Sequence, residues 1–475
     1  MGEEIVSNHF RKQDFREYQS RLQQEFELLR QWFEDRAFDT GPKTGGFEVE
    51  AWLVDRGFGP APINQPFLEL LNSPMAAPEL AAFNIELNTS VQTLTGRMLS
   101  RILEELEQTL DQCSRAANKL DAEVLMIGIL PTVQERQLAL SNMSRMTRYR
   151  ALNEQILRLR EGKALQLEIS GRELLQTEHH DVMLEAAATS FQIHIKIPQQ
   201  QSVRYYNAAI ILSAPMVAIA ANSPFLFGHD LWDETRIPLF EQAVSVASVS
   251  TRLTDRVTFG RGYVKQSLFE CFEENMQRYL VLLPEVMDRP PEQLHHLRLH
   301  NGTIWRWNRP LIGFSDDGVP HLRIEHRTMP AGPTAIDTIA NAAFYYGLIH
   351  VLANDPEIPE LKLNFDQSRT NFYAAARNGL NASVVWLDGN SVNMHELLTE
   401  VLLPLARQGL QQQAFDKDDI DTWLEVIRGR LQSRCNGAAW QRAWVRSHGP
   451  DMAALTAAYA ANQRTGSPVH EWSID

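Results

Sequence analysis

Four short segments place metal-ligating and phosphate-binding residue types on one face of a strand. Residues 46–55 read Gly-Phe-Glu-Val-Glu-Ala-Trp-Leu-Val-Asp, so apolar residues at 47, 49, 51 and 53 alternate with Glu48 and Glu50. That is the two-residue period of a strand with distinct faces. Two carboxylates side by side repel unless something positive lies between them, and a divalent cation with phosphate oxygens answers that need. A solvated edge strand whose acids discourage aggregation would read the same way. The device recurs, however. Residues 82–89 set Phe83, Ile85 and Leu87 against Asn84, Glu86 and Asn88, and residues 190–197 put Gln192, His194 and Lys196 on the polar face. Residues 322–328 bring Arg323, Glu325 and Arg327 together. If these strands share one sheet, it has a buried back and a front floored with ligands for metal and phosphate.

The elements that must position these strands follow from periodicity. Phe15, Tyr18, Leu22, Phe26, Leu29 and Trp32 form a helical stripe over residues 12–36, a short helical piece lies near 66–71, and residues 97–120 repeat the amphipathic pattern. Residues 123–129 read as a short apolar strand closed by Pro131, and 145–160 as a basic helix whose charges form a solvated face. The most apolar run, Ala208 to Phe227, is interrupted by Ser213, Pro215, Asn222, Ser223 and Pro224. It marks a buried helix of about 203–221 ending in a loop, not a membrane span. Residues 256–264 read as a strand or tight turn, with Arg261 between two glycines that would let a ligand approach the backbone. Helix returns at 267–283, at 335–353 and nearly everywhere after 391. No repeat or composition break marks a boundary, and the ligand-bearing strands are far apart in sequence. One domain over 1–390 folded around one site is expected, with a helical extension over 391–475 packed on it.

Composition narrows the chemistry. A chain of 475 residues with 44% hydrophobic content can bury a substantial core, and a net charge of -14 argues against nucleic acid as a partner. Cys113, Cys271 and Cys435 are too few and too scattered for a disulfide framework or a zinc site, which suits a reducing cytoplasm. The start, Met-Gly-Glu-Glu-Ile-Val-Ser, is too acidic for a secretory signal and lacks the Ser or Thr preferred for myristoylation. No phosphate-cradling glycine loop, His-Glu-x-x-His or Gly-x-Ser-x-Gly occurs. A nucleotide would therefore have to be held by metal ions and arginines on a sheet. His179-His180 and His295-His296 point in different directions within each pair, which suits loop or surface positions.

Phe-Glu-Val-Glu at 47–50, Ile-Glu-Leu-Asn-Thr at 85–89, Gln-Ile-His-Ile at 192–195, Ala-Asn-Ser-Pro-Phe at 221–225, Asn-Arg-Pro at 308–310 and Ile-Glu-His-Arg at 324–327 come in a telling order. Together they resemble the glutamate–cysteine ligase type 2 and carboxylate–amine ligase family of the glutamine synthetase-like superfamily, over about residues 45–350. The resemblance implies an α+β fold with a curved, mainly antiparallel sheet forming a funnel-like active site, backed by helices. It implies ATP-dependent activation of a carboxylate, usually the glutamate side chain, as an acyl phosphate that an amine such as cysteine then attacks. Mg2+ or Mn2+ would bridge the triphosphate and the carboxylate.

In that resemblance Glu48, Glu50, Glu86, His194 and Glu325 occupy metal-ligand positions. His194 suits Mn2+ better than Mg2+, and read alone it is simply a hydrogen-bonded histidine on a polar sheet face. Arg327 would meet the phosphoryl group as charge develops, and Arg309 would do the same or hold the substrate carboxylate. A structural ion pair with a glutamate of the same face is the other reading of both arginines. Arg261 and His300 are weaker candidates for amino-acid binding, and Trp305 and Trp307 are read as packing. Some carboxylate–amine ligases carry His-x-His where this chain has Gln192 and His194, and that difference leaves the acceptor amine open. A homodimer is left open, and no membrane partner is expected. A different acceptor, a non-catalytic nucleotide or amino-acid sensor, and a metal-dependent phosphohydrolase are the rival functions. Glu48→Gln or Glu325→Gln is expected to stop turnover and leave the fold intact.

Overall fold

Alternating patterns build eight strands into one curled, antiparallel half-barrel sheet. The computed structural model describes residues 4–246 and 254–474, so the first three residues of the acidic start lie outside the described residues. The strands are β1 (Thr44–Asp55), β2 (Ala76–Pro78), β3 (Asn84–Asn88), β4 (Gln92–Thr93), β5 (Ala122–Leu125), β6 (Ser190–Ile197), β7 (Asn308–Phe314) and β8 (Pro320–Pro330). Their order is β7-β8-β6-β1-β3-β2, with β4 and β5 pairing to the two ends of β1. The four ligand-bearing segments are thus the four adjacent strands β8, β6, β1 and β3.

The apolar face of the sheet is sealed. Phe47, Val49, Ile85, Leu87, Ile193, Ile195, Leu322 and Ile324 are all buried. Two helices back it, α4 (Gln199–Ala220) and α7 (Ala335–Asn354). Before α4 the chain forms α1 (Lys12–Asp35), α2 (Met98–Asn118) and α3 (Thr147–Leu159), and between α4 and α7 it forms α5 (Phe269–Arg278) and α6 (His295–Gly302). The α4 sequence is apolar on every side, which requires burial on every side. It is long and apolar enough to cross a membrane, yet 89% of its apolar window is buried inside the protein. The Tyr346 hydroxyl of α7 donates to the His194 carbonyl at 2.9 Å, fixing β6 from behind.

Several elements differ from the sequence reading. The strand expected over 123–129 is only Ala122–Leu125, because its pairing stops at Trp52 and the same edge of β1 is taken by β6 up to Val49. The helix expected to reach 283 stops at Arg278, where Tyr279 turns extended (φ -111°, ψ 123°). Only Val257–Thr258 of the 256–264 stretch is strand, paired in parallel with Trp305–Arg306. A hairpin of Leu165–Ser170 and Leu174–His179 was not expected, although Leu165, Leu167 and Ile169 carry its alternation. The helical region after α8 (Phe365–Asn378) is preceded by another hairpin, Ser383–Val385 with Ser391–Asn393, so residue 390 falls inside its turn.

The C-terminal helices, α9 (Leu403–Gln412), α10 (Lys417–Ser433), α11 (Gly437–His448) and α12 (Met452–Thr465), pack on the core. Arg430 of α10 donates to Asp337 and Asn341 of α7, all three buried. Asn436 donates to the Ala218 carbonyl of α4 at 3.0 Å, and the Tyr459 hydroxyl to the Met126 carbonyl at 3.0 Å. Glycines let α9 touch α7: a Cβ on Gly409 would stand 1.9 Å from the Gly347 carbonyl oxygen. Gly409→Ala must therefore push two helices apart and is expected to lower stability by about 1–3 kcal/mol, measured by urea denaturation.

Candidate active site

Antiparallel register, not proximity in sequence, assembles the front of the sheet. Gly46 pairs with His194, His194 with Glu325, and Glu325 with Arg309, so three functional side chains share one transverse row across β6, β8 and β7. In the next row Glu48 lies between Asn88 and Gln192, and in the one after it Glu50 faces Glu86. Side chains directly opposite in such a ladder lie about 5 Å apart. Alternation along β8 sets Arg327 on the face of Glu325, just ahead of a register shift between His326 and Met329, and its guanidinium reaches Gln192 and Glu325.

Glu48, His194 and Glu325 form one cluster. His194 Nε2 is 3.1 Å from Glu48 Oε1 and 3.8 Å from Glu325 Oε1, and one donor atom from each residue lies within 4.8 Å of the others. His194 is 6% exposed, and neither ring nitrogen makes a well-aligned hydrogen bond. A buried imidazole left without such a bond between two carboxylates fits a divalent cation, with Mn2+ the more tolerant of nitrogen. Arg309 grips Glu325 with both arms, Nε to Oε2 at 2.7 Å and Nη2 to Oε1 at 2.9 Å, and Arg327 Nη1 lies 3.2 Å from Oε2. The ion pairs weighed as the other reading of both arginines are thus present. They do not exclude phosphate binding, because the same guanidiniums line the cavity.

Glu50 and Glu86 line that cavity as well but stand apart from the three-residue cluster. Glu50 accepts from the Ser190 amide at 2.6 Å, the Ser190 hydroxyl at 2.8 Å and Gln192 at 2.9 Å, and Glu86 accepts from Asn88 at 3.0 Å.

Electrostatics splits these carboxylates into two groups. Burial pushes Glu325 up, but the Arg309 and Arg327 guanidiniums outweigh it and hold the group down at about 2. Burial also opposes ionisation of Glu48, and the His194 charge wins there, holding it well below the usual range. Burial and then the Glu48 charge push Glu86 up to about 7, while burial and then Glu50 push Glu185 up to about 8. Two carboxylates of this front are thus held charged and two are pushed toward the neutral form. A raised carboxyl such as Glu86 favours the folded protein fully below its unfolded value of 4.5, and this contribution fades as pH climbs through about 7. In chelator, the melting temperature of Glu86→Gln should fall less between pH 5 and 8 than that of the wild type, and thermal scans across that range check it.

Two candidates lie elsewhere. Arg261 is exposed and does not line the cavity. His300 is 4% exposed within α6, with Nε2 3.3 Å from the Asn275 carbonyl, and burial followed by the Arg256 charge lowers it to about 4. Its neighbours Asn301, Gly302 and Thr303 reach the cavity instead. Trp305 lines it too, whereas Trp307 is packed, its Nε1 donating to Glu241 at 2.8 Å. The basic helix is not wholly solvated, since Arg148 of α3 is buried at the cavity wall. His179, His295 and His296 are buried, contrary to the surface reading, and His296 Nδ1 lies 2.6 Å from Glu25 of α1. Only His180 is exposed among those four.

Sequence reasoning also left Glu79, Glu185, Tyr149, Arg298 and Arg323 without roles, and all five line the cavity. Arg323 shares the face of Glu325 and was legible by alternation. Glu185 sits in the short 3-10 helix Met183–Ala187, whose five residues are too few to show a period.

The solved glutamate–cysteine ligase from Francisella tularensis, in complex with AMP, shares the fold: TM-score 0.50 and 13% identity, covering 90% of each chain. A bifunctional glutathione synthetase from Pasteurella multocida aligns with TM-score 0.48 and 12% identity, over 91% of this chain and 54% of that one. A search of curated proteins gave no match. The sequence model of glutamate–cysteine ligase family 2 matches residues 44–459, and the chain belongs to that family. The match runs beyond residue 350 into α12.

Proposed function

We propose that this protein is an ATP-dependent ligase that activates a glutamate side-chain carboxylate as an acyl phosphate and joins it to an amine. The observation that carries the reading is the convergence of Glu48, His194 and Glu325 within 4.8 Å, beside Arg309 and Arg327. Glu48, His194 and Glu325 would hold one divalent cation, with Glu50 and Glu86 available for a second. A bound Mg2+ or Mn2+ supplies positive charge where triphosphate and carboxylate would otherwise repel.

The chain's own groups do the rest. Arg327 releases part of its hold on Glu325 and Gln192 to meet the terminal phosphoryl group as the substrate carboxylate attacks it and ADP departs. Arg309 orients the carboxylate or the same phosphoryl oxygens through its planar fork. The amine nitrogen then attacks the acyl carbon, the carbon–oxygen bond to phosphate breaks, and a nitrogen-bound proton leaves with the phosphate. A cytoplasmic setting fits this ATP chemistry and the free cysteines.

ADP release from ATP, Mg2+ and glutamate, screened against a panel of amines, tests the proposal. Release that depends on one class of amine is expected. Phosphate release indifferent to every amine would mean a phosphohydrolase, and nucleotide binding without turnover would mean a sensor.

A further inference from the structure

Strand β8 breaks its ladder at the residue to which the phosphoryl contact is assigned. Its pairing with β6 runs to His326 opposite Ile193 and resumes at Met329 opposite Phe191. Arg327 and Thr328 therefore stand against the single residue Gln192, the two-against-one geometry of a bulge. A bulge leaves backbone groups without ladder partners, and buried ones must find them elsewhere. The Arg327 amide donates to the Trp307 carbonyl at 2.9 Å. The Arg327 and Thr328 carbonyls both accept from one side-chain nitrogen, Nη2 of Arg236, at 3.3 and 2.6 Å.

Arg236 is itself held from several sides. It opens the short helix Arg236–Ala243 and is 2% exposed. Its Nε donates to Glu234 at 3.1 Å, its amide donates to the Ser223 hydroxyl at 3.2 Å, and its guanidinium lies 5.4 Å from the Trp307 ring. Glu234 accepts the Asn222 amide at 2.9 Å through its other oxygen, and Asn222 Nδ2 donates to the Ala331 carbonyl at 2.8 Å. The Ala-Asn-Ser-Pro-Phe motif at 221–225, to which the ligase function assigns no task, thus anchors the Glu234–Arg236 pair. Burying a guanidinium with a carboxylate is a weak way to add stability. What the pair supplies is a rigid planar fork at the bulge.

We propose that Arg236, oriented by Glu234, is a positioning residue that fixes the bulged backbone of Arg327 and so aims the Arg327 guanidinium at the phosphoryl oxygens. The inference rests on the ligase function proposed above and on the part Arg327 plays in it. Arg327 lines the cavity and Arg236 does not, so Arg236 acts on the reaction through β8. With the Arg327 amide tied to Trp307 and its carbonyl to Arg236, both peptide planes flanking its Cα are held. A small rotation there would be magnified along a long side chain, and a misplacement of about 1 Å costs about a hundredfold in rate.

The test uses the full-length protein with ATP, Mg2+, glutamate and hydroxylamine, whose attack on the acyl phosphate is read as hydroxamate. Arg236→Lys keeps a positive charge beside Glu234 but lacks the fork. It is expected to cut kcat about a hundredfold while the glutamate KM and Mg-ADP affinity stay near wild type. Added to Arg327→Lys, the same change should cost less than about threefold more, because no guanidinium remains to be aimed. A hundredfold loss repeated in that background would make Arg236 merely structural and overturn the proposal. So would a kcat near wild type in Arg236→Lys, or a loss carried by the glutamate KM. If Arg236→Lys loses its melting transition, Glu234→Gln combined with Arg236→Gln removes both buried charges together and enters the same cycle. A wild type that forms no hydroxamate and releases no ADP with any amine would refute the ligase function and the positioning role with it. With an active wild type, the cycle judges the positioning role alone.

Discussion

Glu325→Gln is expected to abolish ligase turnover, by about a thousandfold or more, and to lower stability by about 3 kcal/mol. Glu325 is 1% exposed and is gripped by Arg309 and approached by Arg327. Neutralising it leaves two guanidiniums facing an amide and removes one member of the cation cluster. Glu48→Gln should be just as inactive and should also lose some stability, because His194, with Nε2 3.1 Å from Glu48 Oε1, holds that carboxyl well below the usual range. An intact fold is what the sequence leads one to expect of both variants; the contacts of the two carboxylates point to a measurable loss in each. Urea denaturation beside ADP-release kinetics measures both halves, and wild-type stability in Glu325→Gln would show that the ion pairs contribute little.

Arg327→Lys is expected to cut kcat about a thousandfold with little change in Mg-ADP affinity. The guanidinium bonds Gln192 and Glu325 at once, and a lysine ammonium cannot keep that planar two-way contact while reaching a phosphoryl oxygen. Single-turnover kinetics with binding titrations separates the two effects. A fall in nucleotide affinity that explains the whole loss would make Arg327 a ground-state contact.

What was legible in the sequence was what obeys a local period. Glu48, Glu50, Glu86, His194, Glu325 and Arg327 share one face because strand alternation is strict, so strands β1, β3, β6 and β8 could be read along with the side their ligands take. Register was not legible: nothing local says that His194 stands opposite Glu325 and Gly46, or that Glu50 and Glu86 face each other in the row beyond Glu48. Helical side chains were read less well. The α3 arginines have the composition of a solvated face, but tertiary packing buries Arg148 and exposes Arg150. Arg261 looked poised between glycines, yet the short Val257–Thr258 strand ends before it and leaves it outside the cavity. Glu79 and Glu185 gave no signal because both lie beyond regular strands.

Anomalous diffraction from crystals soaked with Mn2+ and ADP tests the assignment of the site most directly. A manganese peak coordinated by Glu48, His194 and Glu325, with the ADP phosphates reaching toward Arg327, is the expected result. Manganese bound away from these three residues, or a nucleotide whose phosphates lie outside the cavity, would contradict it.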